Sequence, residues 1–219
     1  MTVREHFERD LKGLVLNVMK LGSYVEEALR SALKALSKQD VLQAEKILTE
    51  DVKINRLQLA IEDCCVGLIA REQPVARNLR EIMTTIKVAS NLERAGDLAV
   101  HLAKATKRLA GSPYIGSFQD IHKMAEIGIG MVRGAVDAFA TQDSAKAREV
   151  AGRDDRIDSI HDALIQQLLA TMHENEKQIE MATSLLFVSR FLERLGDHVV
   201  NICEWVVYGA EGVHEDLNS

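Results

Sequence analysis

Ile47, Ile54, Ile61 and Leu68 stand seven residues apart, with Leu57 and Cys64 between them. An apolar row with that spacing follows the 3.5-residue period of helices packed side by side in a bundle; a strand cannot satisfy it. The period returns in Leu79, Ile86, Glu93 and Val100, and again in Ile179, Leu186, Glu193, Val200 and Val207. Composition agrees with an all-α chain. Nearly half the residues are hydrophobic, good helix formers dominate, and only Pro74 and Pro113 interrupt the backbone.

Six long helices are readable. The first covers about 5–37. The tetrapeptide SKQD ends it, and Asp40 is placed to cap a second helix over 41–71. REQP closes the second, and Pro74 suits the first turn of a third over 75–110. GSPYIGS is rich in turn residues, and Ser117 with Asp120 resembles a capping box for the fourth. ATQD mirrors SKQD and precedes a fifth helix over 143–173. A sixth follows over 177–208.

The order of these signals repeats. Asp40 matches Asp143 and DVKINRL matches DDRIDSI, each 103 residues on; LERAGD matches LERLGD, 100 residues on. The fold class is therefore all-α: two tandem three-helix bundles related by internal duplication. The expected organisation is a first bundle over residues 1–111, a hinge at 112–116, a second bundle over 117–210 and a flexible polar tail at 211–219.

Both copies of the repeat put a carboxylate where the period demands an apolar side chain. Glu93 and Glu193 lie in their helices' apolar rows, and Gly96 and Gly196 follow three residues later. Asp97 and Asp197 lie one turn beyond the glutamates on the same side. An uncompensated carboxylate inside a bundle costs several kcal/mol, and a like charge one turn away adds to that cost. The upstream helices bring more oxygen. Asp51 and Asn55 match Asp154 and Asp158; Asp155 lies between the latter pair, and Glu50 falls on its helix's apolar stripe. Antiparallel packing would bring D-x-x-x-N/D against E-x-x-x-D, one oxygen-rich site per half. Such a site suits Mg²⁺, Mn²⁺ or Ca²⁺, and carboxylate clusters also hold iron. His101 would add a nitrogen in the first half, and His198 stands beside Asp197. The glycines leave room for a close neighbour. A plainer reading has Arg94 and Arg194 pairing the acids as structural salt bridges on a scaffold.

Other function classes are disfavoured. The net charge of −6 is spread along the chain, with no basic face for nucleic acid. The polar opening MTVREHFERD is not a secretory signal, and no apolar run reaches membrane-span length, so a cytoplasmic location without membrane insertion is expected. Cys64, Cys65 and Cys203 sit among apolar neighbours and read as buried reduced thiols. There is no phosphate-cradling Gly-rich loop and no nucleophile beside a base, so no enzyme is expected. The alternative is a carboxylate-bridged metal enzyme or metal store on a helical bundle. Those use E-x-x-H pairs, and the chain's one example, Glu211 to His214, lies in the tail.

The ordered set EDVKINRLQLAIEDCCVGLIAREQPVARNLR, NLERAGDLA and RFLERLGDHVVNICEWVVYG resembles the PhoU family of phosphate-transport accessory proteins. The resemblance implies two three-helix bundles, a homodimer and multinuclear metal sites. By position these fall on Asp51, Asn55, Glu93 and Asp97, and on Asp154, Asp158, Glu193 and Asp197, holding divalent or iron-type ions (Fe, Mn, Mg or Zn). It also implies a cytoplasmic negative regulator, peripheral to the inner membrane, that links a phosphate ABC transporter ATPase to a sensor histidine kinase. Asn55 is a weaker ligand than a carboxylate, and Val52 stands opposite Asp155, so the first site is expected to be the less anionic.

Overall fold

The computed structural model describes residues 3–115 and 118–218. Every regular element among them is helical. The first half holds α1 (Val3–Lys38), α2 (Val41–Glu50), α3 (Val52–Glu72) and α4 (Ala76–Leu109). The second holds α5 (Phe118–Thr141), α6 (Ser144–Ala151), α7 (Asp154–Glu174) and α8 (Ile179–Glu211), with a 3-10 turn at Glu176–Gln178 before α8. No helix among the described residues is long and apolar enough to cross a membrane.

The duplicated sequence makes duplicated turns. Gln39 and Gln142 both take positive φ, 52° and 53°. Asp40 and Asp143 then donate their backbone N–H groups to Ala35 and Ala138, both at 2.9 Å. Each aspartate side chain accepts the N–H three residues on, Gln43 at 3.0 Å and Lys146 at 2.9 Å. These are the side-chain caps expected from SKQD and ATQD.

Three expectations are corrected here. The second and fifth long helices are each broken, at Asp51 and at Gly152–Arg153. The break is a local tightening rather than a turn: Asp51 keeps helical angles (φ −52°, ψ −34°) and Gly152 lies at φ −63°, ψ −2°. The hydrophobic period runs on through both breaks, so periodicity does not reveal them. Pro74 stands outside its helix, one residue before the N-cap Val75, because Gln73 turns left-handed at φ 45° and α4 starts only at Ala76. Cys64 is exposed; Cys65 and Cys203 are buried, and burial pushes both thiols up to about 12. Ser117 and the end of the expected hinge at Gly116 lie outside the described residues.

Within each half the long helices pack on one another, and the halves meet through α4 against α8 and α1 against α5. One continuous apolar core runs through both. Gly22 permits the α1–α5 approach, since a Cβ there would lie 2.6 Å from Val136 Cγ2. Thr84 Oγ1 donates to the Trp205 carbonyl at 3.3 Å across the α4–α8 seam. Residues 212–218 lie back along α8 rather than extending from it. Arg148 of α6 binds both Glu211 and Glu215, His214 stacks on Tyr208 at 4.0 Å between centroids, and Leu217 N–H donates to Glu204 Oε1 at 3.0 Å.

Candidate metal centres

The break before α7 delivers Asp154 to the α7–α8 seam. Asp154 is only 3 % exposed. Both of its carboxylate oxygens are shut from solvent, and neither has a hydrogen-bond partner. The carboxylate occupies the notch at Gly196, where a Cβ would lie 1.8 Å from Oδ1. Glycine is required there because the acid fills the space a side chain would need. Burial first, and then the charges of Asp158, Asp197 and Glu193, together raise the acid from 3.8 to about 7.

Its neighbours are under the same pressure. Asp158 and Glu193 are both raised by burial first and by Asp197 next. Glu193 Oε1 accepts a hydrogen bond from Arg190 Nη1, while Oε2 is buried without a partner. Asp197 Oδ1 accepts from Asn218 Nδ2 of the tail at 3.4 Å. The second half thus gathers Asp154, Asp158, Glu193 and Asp197 into one field, with three buried oxygens unpaired.

In the first half Asp51, Glu93 and Asp97 also feel one another's charge. Asp51 accepts from Asn55 Nδ2 at 3.1 Å, and Asn55 Oδ1 is buried without a partner. Burial raises Asp51, as does Asp97; burial raises Glu93, followed by Asp97 and Asp51. The notch at Gly96 is filled by Ile54, whose Cδ1 would lie 3.1 Å from an added Cβ, and not by Asp51. A cavity of about 270 Å³ lies beside Asp51, walled by Tyr24, Lys46, Ile54 and Gly96.

Several sequence expectations change. Glu50 is exposed and pairs with Lys53 at 3.1 Å, because the break at Asp51 separates it from the apolar stripe of α3. Asp155 and its counterpart Val52 both face solvent, so Asp155 adds to the field at Asp154 without joining the inward donors. Among the described residues, neither Arg94 nor Arg194 makes an ion pair with the acids. The cation in contact with the second cluster is Arg190, three residues before Glu193; a residue next in sequence is turned about 100° round the helix, away from its neighbour. His101 is engaged elsewhere, stacked on Phe191 of α8 at 4.5 Å between centroids. His198 is half-buried with Nδ1 unpaired, and burial, Arg194 and Arg94 hold it below its usual value. The histidine that sequence reasoning passed over is His161. Its signal was legible, since Asp154, His161 and Leu168 form one seven-residue row on α7.

No group of three or more His, Cys, Asp or Glu side chains among the described residues is arranged to hold a metal ion as it stands. The donor chemistry nevertheless fits a cation. Unpaired buried carboxylate oxygens around one seam are what a hard or borderline cation requires, and they are costly without one.

The PhoU domain model matches this chain twice, at residues 18–106 and 121–206. The chain belongs to the PhoU family. The matches fall on the two halves that the duplicated turns define. A phosphate-specific transport system accessory protein PhoU homolog from Clostridium acetobutylicum is 39% identical over 216 residues, covering 98% of this chain and 99% of that one. The Escherichia coli accessory protein PhoU is 30% identical, covering 94% and 86%. Two crystal structures share the fold. The phosphate transport system regulatory protein PhoU from Streptococcus pneumoniae aligns with a TM-score of 0.90 at 32% identity, covering 96% of this chain and 99% of that one. PhoU from Pseudomonas aeruginosa aligns at 0.91 and 30%, covering 94% and 100%. The named relatives are accessory or regulatory proteins of phosphate transport, so a regulatory part in that system is the common denominator.

Proposed function

We propose that this chain is a non-catalytic, metal-binding adaptor that represses phosphate uptake and phosphate-starvation signalling when phosphate is plentiful. Its partners in this reading are a phosphate ABC transporter ATPase and a sensor histidine kinase. It works as a cytoplasmic homodimer and meets the inner membrane through those partners. The relatives' names support the phosphate-transport setting. The observation that carries the metal reading is Asp154, buried over Gly196 with both oxygens unpaired and three more carboxylates around it.

Asp154, Asp158, Glu193 and Asp197 would hold an ion in the second half, and Asp51, Asn55, Glu93 and Asp97 one in the first. The ion supplies positive charge that lets these acids ionise together. The protein's own part is mechanical. Acids from α7 and α8 converge on one seam, so neutralising them ties the start of α7 to the middle of α8. Because α8 also packs on α4, the seating of the two halves depends on that tie.

The test uses alanine at Glu93, Asp97, Glu193 and Asp197 together. Expected is a loss of bound metal by elemental analysis, and loss of transporter and kinase recovery in pull-downs from phosphate-replete cells. Unchanged metal content removes the site assignment. Recovery of neither partner by the wild-type protein, from replete or starved cells, removes the adaptor reading.

A further inference from the structure

The α7–α8 seam contains one more polar pair that the acid cluster does not account for. His161 is 8 % exposed and lies on α7 two turns after Asp154 and one turn after Asp158. Its Nδ1 lies 3.0 Å from Ser189 Oγ on α8, one turn before Glu193. Ser189 Oγ is also 3.0 Å from the Leu186 carbonyl, which can only accept. With the single Ser189 proton assigned to that carbonyl, Oγ accepts from His161 Nδ1–H, and the neutral imidazole keeps its remaining lone pair on Nε2. Helical side chains lean toward the N-terminus of their helix, which on α7 is toward Asp158 and Asp154.

From this arrangement we infer that His161 is a nitrogen ligand of the second-half metal site, held in its ligating tautomer by Ser189. The inference rests on the metal-binding reading of the acid cluster. A metal-binding imidazole characteristically donates its other N–H to a fixed acceptor, and Ser189 is that acceptor here. The repeat sharpens the point. The first half has Gln58 at the position matching His161 and Ala89 at the position matching Ser189, so it has neither ligand nor acceptor. The two sites are then chemically different. The first offers carboxylate and amide oxygen alone. The second offers carboxylate oxygen with one imidazole nitrogen, which favours Zn²⁺, Co²⁺, Mn²⁺ or Fe over Mg²⁺ and Ca²⁺.

The experiment uses full-length, chelator-treated protein titrated with Co²⁺ alone, and proton NMR in H₂O and D₂O. Expected in the wild type is a hyperfine-shifted, exchangeable imidazole N–H signal that is absent from H161Q, the change that copies the first half. H161Q should weaken Co²⁺ binding at the second site by about tenfold or more, and leave Mg²⁺ binding unchanged. S189A, which keeps the ligand and removes its acceptor, should move the N–H signal and weaken Co²⁺ binding by roughly 10- to 100-fold. An exchangeable signal unaffected by H161Q, or none in a wild type that binds Co²⁺ through Asp154 and Glu193, overturns the role of His161 and leaves a core hydrogen bond. Co²⁺ stoichiometry undiminished by D154N combined with E193Q overturns the acid-cluster reading of the second half itself. Absence of the signal from a wild type that binds Co²⁺ overturns the role even where a variant fails to fold.

Discussion

Asp154→Asn probes the buried acid without any knowledge of its ligand. Asparagine has nearly the same shape and cannot ionise. In metal-free protein, burial and neighbouring acids hold Asp154 at about 7 against an ordinary 3.8. At 1.36 kcal/mol per pK unit, that interval is worth roughly 4 kcal/mol. The folded-state value lies above the unfolded one, so the unfolded chain gives up the proton first. Stability of the metal-free wild type therefore falls as pH rises from about 4 and levels off above about 7. The D154N protein lacks the Asp154 contribution to that loss. Any cost of burying an amide without partners is the same at every pH and drops out of the comparison. Between pH 4 and pH 8 the stability difference should swing toward D154N by roughly 4 kcal/mol. Urea unfolding followed by Trp205 fluorescence reads it, since Trp205 is the single tryptophan and lies on α8 with Glu193 and Asp197. Adding Mn²⁺ should reverse the ranking, because only the wild type keeps the complete second site and gains its binding free energy. A difference that stays flat across this pH range refutes an uncompensated buried carboxylate at Asp154.

Gly196→Ala and Gly96→Ala should behave differently although they sit in matching motifs. The first places a methyl 1.8 Å from Asp154 Oδ1 and must expel the carboxylate, so metal content at the second site should drop while α8 stays helical by circular dichroism. The second meets Ile54 at 3.1 Å, where a shift of a few tenths of an ångström suffices, and metal content should hold. Equal behaviour of the pair would contradict the packing described. Arg148→Ala removes the group that binds Glu211 and Glu215. Faster amide exchange confined to residues 212–218 is expected, and exchange unchanged there would show that the stacked His214 and the seated Leu217 hold the tail unaided.

The architecture was legible because bundle packing is written in the hydrophobic period. Ile54, Ile61 and Leu68 are buried as that period requires, and the two QD turns cap alike. Glu93 and Glu193 were legible for the same reason, as charges in an apolar row. What was hidden depends on stagger between helices. Whether Gly196 faces Asp154, or Gly96 faces Ile54, depends on how far α7 and α3 slide along their partners, and the spacing along one helix carries no record of that. The choice of Arg190 over Arg194 was available from helix geometry, since three residues apart is adjacent on the surface and one apart is not. His161 is legible as a polar residue in an apolar row of α7, whereas its pairing with Ser189, on another helix 28 residues away, is not.

The two halves have diverged at the place where their motifs agree most. Both keep a glycine beside an E-x-x-x-D pair, yet one glycine receives an aliphatic side chain and the other a carboxylate. The first half can seat α3 on α4 through Ile54 with no ion, and its Asp51 is already held by Asn55. In the second half the matching Ile157 is buried as well, but the notch at Gly196 is taken by Asp154. Asp154 stands at the start of α7 just past the Gly152–Arg153 break, the part of that helix least constrained by its own backbone. The same α8 that faces this acid also carries the main contact with α4. A cation requirement placed there acts on the joint between the halves, whereas one placed at Asp51 acts within a bundle that is already closed.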